Sequence, residues 1–317
     1  MNRLFAALAI VLFSASIHAQ PWPARTVKII APFSPGGSAD TLGRVIAQKL
    51  TEQLKENFIV ENRPGAGGAL GSDLVAKAPP DGYTLVVSGI ASHVIAPQLP
   101  QGTPYDPLKD FTHIALLGGP PAVLAVNPSV PVKNLKEFVE LAKSRPLSYG
   151  SPGNGTQGQL VAELFKQRSG IDMQHVPYKG ASGAVSDLIA GHIAVVSTTL
   201  TTAASQIRAG RARALAISAA ARLPEFPDVP TYREMGYPDL VATVWFSLSA
   251  PANLPEEIVT RLNTEVNRAL ELPDVRERLK PEGIVPQRMN AREFSAYVAE
   301  ELKRWAPVVK ASGAKND

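Results

Sequence analysis

Cysteine is absent from the 317-residue chain. That excludes disulfides, thiolate metal ligands, a cysteine nucleophile and a cysteine-linked lipid anchor. Aromatics are sparse at 6% and charged residues stand at 19%, with neither sign in marked excess, since 32 Lys+Arg face 28 Asp+Glu. The net charge of +4 is not concentrated, because residues 255–317 carry 11 basic and 11 acidic side chains. A nucleic-acid tail or stripe is therefore not expected. Histidines are few, and His93, His113, His175 and His192 have no i+4 partner and no H-E-x-x-H context, so neither a metal site nor any cofactor is expected. G-x-S-x-G is missing too, Gly180-Ala181-Ser182-Gly183 falling one residue short of that nucleophile spacing. What the chain does have is 45% hydrophobic residues, 28 Pro and 24 Gly, the composition of a folded protein with many turns.

Residues 1–19 stand apart. Arg3 gives a positive start, Leu4 to Phe13 an apolar run, and Ala15 to Ala19 small residues for cleavage, with Pro21 and Pro23 following. This is the layout of a secretory signal peptide cut after Ala19, and it predicts an exported protein. No other apolar run approaches the ~20 residues of a spanning helix.

The remainder alternates short strands with helices. Val27–Ala31, Phe58–Val60 and Tyr83–Ser88 read as strands, separated by helices over about 38–55 and 68–77. A second series has strand-like runs at Val123–Val126, Leu147–Tyr149, Met173–Val176, Ile193–Val196 and Ala214–Ile217. After the run Val244–Leu248 the chain turns helical, over about 255–270 and 291–306. Such βαβ alternation predicts an α/β fold, with parallel strands and helices on their faces. Apolar crossings near 121–126 and 244–248 bracket the second series. They predict a two-lobe division: 20–121 as the first part of lobe 1, 122–246 as lobe 2, and 247–317 returning to lobe 1. A cleft between hinged lobes is a ligand trap.

Three glycine-rich turns each follow a strand and open a helix: Phe33 to Asp40, Tyr149 to Gln157, and Pro177 to Gly183. Glycine lets backbone approach a ligand closely, and the unpartnered first-turn amides and the helix dipole favour an anion. Gly153 to Gly158 formally matches G-x-G-x-x-G, but the next strand ends at His175-Val176-Pro177 without the acid a dinucleotide site needs. Lys179 offers a cation at the mouth of a cleft, and the Val196–Thr202 run, Thr198 included, offers hydroxyls for a polar ligand tail. A hydrolase using Ser38 or Ser151 as nucleophile lacks any base evident in the sequence. An enzyme is not expected.

These segments resemble the Bug (TctC-like) substrate-binding proteins of the tripartite tricarboxylate transporters. The likeness is carried by Ile29 to Asp40, Val60 to Gly68, Ala78 to Leu85, Val176 to Gly180, Phe226 to Thr231 and the Trp245 strand leading to Pro251. It implies a type II periplasmic-binding-protein architecture: two lobes of parallel-dominated sheet flanked by helices, a ligand cleft between them. It further implies a monomer that closes on a small organic carboxylate and delivers it to a membrane permease; presentation of the ligand to a membrane sensor uses the same fold. Carried over residue by residue, the carboxylate contacts fall on Phe33, Ser34, Gly36, Gly37, Ser38 and Asp40. In the second lobe they fall on Ser151, Gly153, Asn154, Gly155, Thr156 and Gln157. The loop of Tyr178, Lys179, Gly180, Ala181 and Ser182 and the segment of Ser88, Ala91, Ser92 and His93 add to the pocket. Two departures from the family pattern, Ala194 in place of an Asp and Ala181-Ser182-Gly183 where a Pro is usual, fall in the second lobe, near where the distal end of the ligand should rest.

Overall fold

A computed structural model describes residues 22–242, 244–280, 283–284 and 286–315; the signal-peptide reading of residues 1–19 lies outside them. The first sheet has the order β2-β1-β3-β10-β4, built from β1 (Val27–Ala31), β2 (Phe58–Asn62), β3 (Thr84–Gly89), β4 (Phe111–Gly118) and β10 (Phe246–Pro251). The second has the order β7-β6-β8-β5-β9, from β5 (Ala122–Val126), β6 (Leu147–Ser151), β7 (Met173–Pro177), β8 (Val195–Thr199) and β9 (Arg213–Ile217). Both follow one plan. Three strands pair in parallel, and one antiparallel strand, β10 or β5, is inserted before the fifth. These two inserted strands are the crossings seen in the sequence. Strand β5 reads AVLAV and is buried along its whole length, as expected for a strand covered on both faces.

Helices flank both sheets. Helix α1 (Ser38–Leu54) buries Leu42, Val45, Ile46, Leu50 and Leu54, spaced at three and four residues, and ends at Lys55 in left-handed geometry with φ 62°. Helix α2 (Ala69–Ala76) follows β2. In the second lobe α3 (Leu135–Ser144), α4 (Gln157–Ser169), α5 (Ala181–Ala190) and α6 (Leu200–Arg208) alternate with the strands. The C-terminal part adds α7 (Glu256–Glu271), α8 (Pro273–Leu279) and α9 (Ala291–Ser312).

Strand β4 was not evident from the sequence pattern. Its run FTHIALLG is buried almost throughout and shows no alternation, because α7 and α9 cover it. Helix α9 outlasts its expected end at 306 and continues through Pro307 to Ser312. Burial of Val309 beyond the proline favours continuation, although Pro307 has no N–H for the usual helical bond. This helix also packs on α4, so it touches both lobes rather than the first alone.

The two crossings run side by side. Val244 N–H donates to the Pro120 carbonyl (2.9 Å) and Ile90 N–H to the Trp245 carbonyl (3.2 Å). Gly119 is demanded by this closeness, since a Cβ there would lie 1.8 Å from the Val244 carbonyl oxygen. Trp245 is pinned from the other side by Glu301 of α9, whose carboxylate accepts from the indole N–H of Trp245 (2.9 Å) and of Trp305 (3.1 Å).

Candidate functional site

The helices that open from the glycine-rich turns aim their N-termini at a single cavity between the sheets. The first lobe contributes Phe33, Gly37, Ser38, Ala39, Gly89, Ile90 and Ala91, and the second Pro152, Thr156, Gln157, Gly158, Ala181 and Thr199. The returning crossing adds Val244 and Phe246. None of these side chains is charged. Four helices of nine residues or more (α1, α4, α5 and α6) present their first residues or N-caps to this space. The N-caps of α1, α5 and α6, namely Gly37, Gly180 and Thr199, receive no side-chain capping bond. No side-chain cap engages the first turns of α1 and α5, the Leu200 amide that opens α6 is taken by the Pro121 carbonyl (2.9 Å), and the four helix dipoles make the cavity favourable for an anion.

The lobes are closed on one another. Ser34 Oγ donates to the Lys179 carbonyl (2.7 Å), Ser182 Oγ to the Pro35 carbonyl (3.1 Å), and Ser38 Oγ to Thr199 Oγ1 (2.7 Å). The backbones of Asn154 and Gly67 also abut, as do those of Gly180 and Ser34. A narrower pocket adjoins the cavity, sharing Phe33 and Pro152 and bordered by Gly65–Gly68, Tyr178 and Lys179.

Of the residues expected from the sequence, Phe33, Gly37, Ser38, Ala91, Thr156, Gln157 and Ala181 line the cavity, and Tyr178 and Lys179 border its narrower neighbour. Others hold those residues in place. Asp40 accepts from the Gly36 amide (3.0 Å), from Arg44 and from Asn62. Burial pushes its carboxyl up, but the Arg44, Gly36 and Asn62 bonds outweigh that and keep it below the ordinary value. Asp40 thus shapes the first loop from behind. In the second lobe Ser151 Oγ meets both the N–H and the carbonyl of Gly153, Thr156 Oγ1 donates to the Gly153 carbonyl (2.7 Å), and the Gly155 amide donates to Gln159 Oε1 (2.8 Å). Tyr178 donates its hydroxyl to Asp187 (2.6 Å), and burial followed by that carboxylate pushes the phenol up to about 12.

Ser88, Ser92, His93 and Thr198, also expected in the pocket, sit inside the protein away from the wall. Ser88 lies in a buried chain of hydroxyls with Ser247 and Ser249, each at 2.7 Å. Ser92 bonds His93 Nδ1 (3.0 Å), and the His93 ring is enclosed by Tyr105, Phe111 and His113. Burial, then the neighbouring His113, drives the His93 imidazole well below its ordinary pKa, so it stays neutral. Thr198 is wholly buried within β8 and is not on the cavity wall; Thr199 next to it is.

Sequence reasoning did not single out Ile90, Val244 or Phe246, and within the Val196–Thr202 run it named Thr198 where Thr199 is the residue on the wall. It also found no base near Ser151, whereas the structure brings His175 Nε2 to 2.7 Å from that hydroxyl through the parallel pairing of β6 with β7. Ser151 is nevertheless fully buried and outside the cavity wall, its hydroxyl committed to the Gly153 turn. Among the described residues no cluster of His, Asp and Glu is placed to hold a metal ion, and no helix is long and apolar enough to cross a membrane.

Comparison with known proteins agrees with this geometry. Residues 42–314 match the family model "Tripartite tricarboxylate transporter family receptor". Protein BugT of Bordetella pertussis is 37% identical over 322 residues, covering 99% of each chain. Among solved structures, R. palustris Rpa4515 with adipate superposes with a TM-score of 0.90 at 34% identity, covering 93% of this chain and 99% of that one. MatC from Rhodopseudomonas palustris with bound malate gives 0.86 at 35% identity, covering 91% of this chain and all of the other. The chain belongs to the tripartite tricarboxylate transporter receptor (TctC) family, whose members are periplasmic solute-binding proteins.

Proposed function

We propose that the chain is a non-enzymatic periplasmic receptor that captures a small organic carboxylate between its lobes and hands it to a tripartite-type membrane permease. The observation that carries this reading is the convergence of four helix N-termini on one interlobe cavity with no charged side chain on its wall. Oriented amides are the anion receptor there, and a wall without fixed carboxylates does not oppose it. The adipate and malate seen in two relatives of similar fold support a carboxylate as the cargo. In this reading residues 1–19 are removed on export, and 20–121 with 247–317 form one lobe against 122–246. The returning chain at Val244–Trp245 is the hinge, the place where a rotation between lobes is absorbed by few residues.

The test is equilibrium binding of purified mature protein to a panel of carboxylates and their neutral amides, with small-angle scattering to follow closure. Carboxylates that bind and compact the molecule, while the amides do neither, are expected. Equal binding of acid and amide would refute the anion receptor. Carboxylate uptake by cells that depends on both this protein and a permease tests delivery.

A further inference from the structure

We propose that Gln159 and His175, neither of them on the cavity wall, are positioning residues for the second-lobe loop, holding it for a carboxylate only while the His175 imidazole is neutral. The inference rests on the receptor reading above. The hydrogen bonds admit one placement of the protons. The Gly155 N–H can only donate, so the Gln159 atom 2.8 Å from it is the acceptor oxygen Oε1. That turns the Gln159 amide nitrogen toward His175 Nδ1 at 3.3 Å, and Nδ1 must accept. The proton of the neutral ring therefore sits on Nε2 and is donated to Ser151 Oγ at 2.7 Å. Ser151 directs its own proton to the Gly153 carbonyl and accepts from the Gly153 N–H. The relay thus fixes both glycines beside Asn154, just ahead of the Thr156 N-cap of α4, where Thr156, Gln157 and Gly158 line the cavity.

A second proton on the ring lands on Nδ1 and sets donor against donor. Either the Gln159 amide turns over and faces the buried Gly155 N–H with its NH2 group, or the ring withdraws from Gln159 and Ser151. Both release the turn, because a buried donor without its acceptor is costly. His175 itself is half-buried, within reach of solvent protons. The charged groups around it are engaged with one another. Its ring stacks on Tyr149 at 4.9 Å, whose hydroxyl donates to Glu163 of α4 (2.5 Å). Glu163 pairs with Lys166 (3.1 Å), which also pairs with Asp172 at the start of β7 (3.4 Å). Past the end of β7, Tyr178 donates to Asp187, and Lys179 is exposed.

Imidazole changes charge between about pH 5 and 8. Calorimetry on the mature protein uses the tightest carboxylate of the panel above, adipate and malate included. Its affinity is expected to fall about three- to tenfold between about pH 8 and about pH 6. Binding at about pH 6.5, measured in two buffers of different ionisation enthalpy, is expected to release protons, since the ligand and the added proton oppose one another. A carboxylate acting on His175 through its field alone would favour the imidazolium and take protons up, so uptake overturns the relay. His175→Gln should abolish both the pH effect and the release. Gln159→Glu keeps an acceptor for the Gly155 N–H and gives a protonated Nδ1 a carboxylate to donate to, so its affinity should no longer fall in acid. Circular dichroism checks that both variants fold, and proton release by the unaltered protein decides the sign without them. Affinity that is flat with pH, or that falls equally in His175→Gln, overturns the relay and leaves the carboxylate receptor standing. Failure of every carboxylate to bind at about pH 8 overturns both.

Discussion

Ser38 and Thr199 stand 161 positions apart, yet their hydroxyls meet at 2.7 Å, joining the N-terminus of α1 to that of α6 across the cavity. Both residues also line the cavity, so the bond belongs to the closed arrangement and to the cavity wall at once. In Ser38→Ala the bond is lost while Thr199 keeps Thr202 at 3.1 Å, so no buried hydroxyl is left bare. A hydrogen bond contributes ~0.5–1.5 kcal/mol net, so carboxylate affinity should fall about 2–13-fold. Calorimetry reads the affinity, and scattering should show a smaller closed fraction at subsaturating ligand. Unchanged affinity would mean that the bond also exists in the open state.

Gly153 answers for the second-lobe loop. Its φ is 140°, and a Cβ would lie 2.8 Å from the Tyr178 carbonyl oxygen, while its N–H and carbonyl hold Ser151 and Thr156. A side chain at this position must push the α4 turn away from the Tyr178 strand end, since left-handed geometry and backbone contact both oppose it. Gly153→Val should keep the far-ultraviolet spectrum but lose the stabilisation of about 2.7 kcal/mol that a ligand at 100 times its dissociation constant confers. Melting with and without saturating carboxylate measures this. An intact ligand shift in the folded variant would place the anion elsewhere.

The glycine turns were legible in the sequence because each is local: strand, Pro or Gly, then a helix-opening residue. The same locality made the strand–helix alternation and the two crossings readable. Val244 and Phe246 were not, since which side of a crossing faces the cleft is decided by how the lobes dock, not by any local period. His175 likewise reads as a lone polar residue until β6 and β7 pair and bring it to Ser151. Strand β4 escaped because burial on both faces removes the alternation that marks a half-buried strand. His93 was placed in the pocket by its neighbours in the chain, whereas a single turn past β3 sends its ring into the aromatic cluster instead.

That cluster makes the fold acid-sensitive. Burial lowers His113 from 6.5 to about 4, only partly offset by the Pro107 carbonyl, and His93 is lowered in the same direction by burial and by His113. Each folded-state value lies below the unfolded one, so the unfolded chain binds more protons between them. Stability is therefore present in full above about pH 6.5 and falls as pH drops toward 4. For His113 alone the loss between pH 7 and pH 5 is on the order of 2 kcal/mol. Urea titrations at those two values should show it, and His113→Gln should flatten the slope. An equal unfolding midpoint at both values would contradict the neutral, buried state of these rings.

Glu301 ties the returning crossing to the C-terminal helix. Its carboxylate is 4% exposed, accepts from the indoles of both Trp245 and Trp305, and pairs with Arg304 at 3.1 Å. Glu301→Ala strands two buried indole N–H groups, and each such orphan costs about 1–3 kcal/mol, so a loss of roughly 2–6 kcal/mol is expected. Glu301→Gln retains one acceptor oxygen and should recover part of it. Because Trp245 lies in the returning crossing, the substitution should also change the tryptophan fluorescence response to ligand. Denaturant unfolding separates the stability effect from the fluorescence effect at the same protein concentration. If Glu301→Ala lowered stability but left the ligand-induced fluorescence change intact, Trp245 would be a packing residue only, and the hinge would have to lie at Gly119–Pro120 on the outgoing crossing.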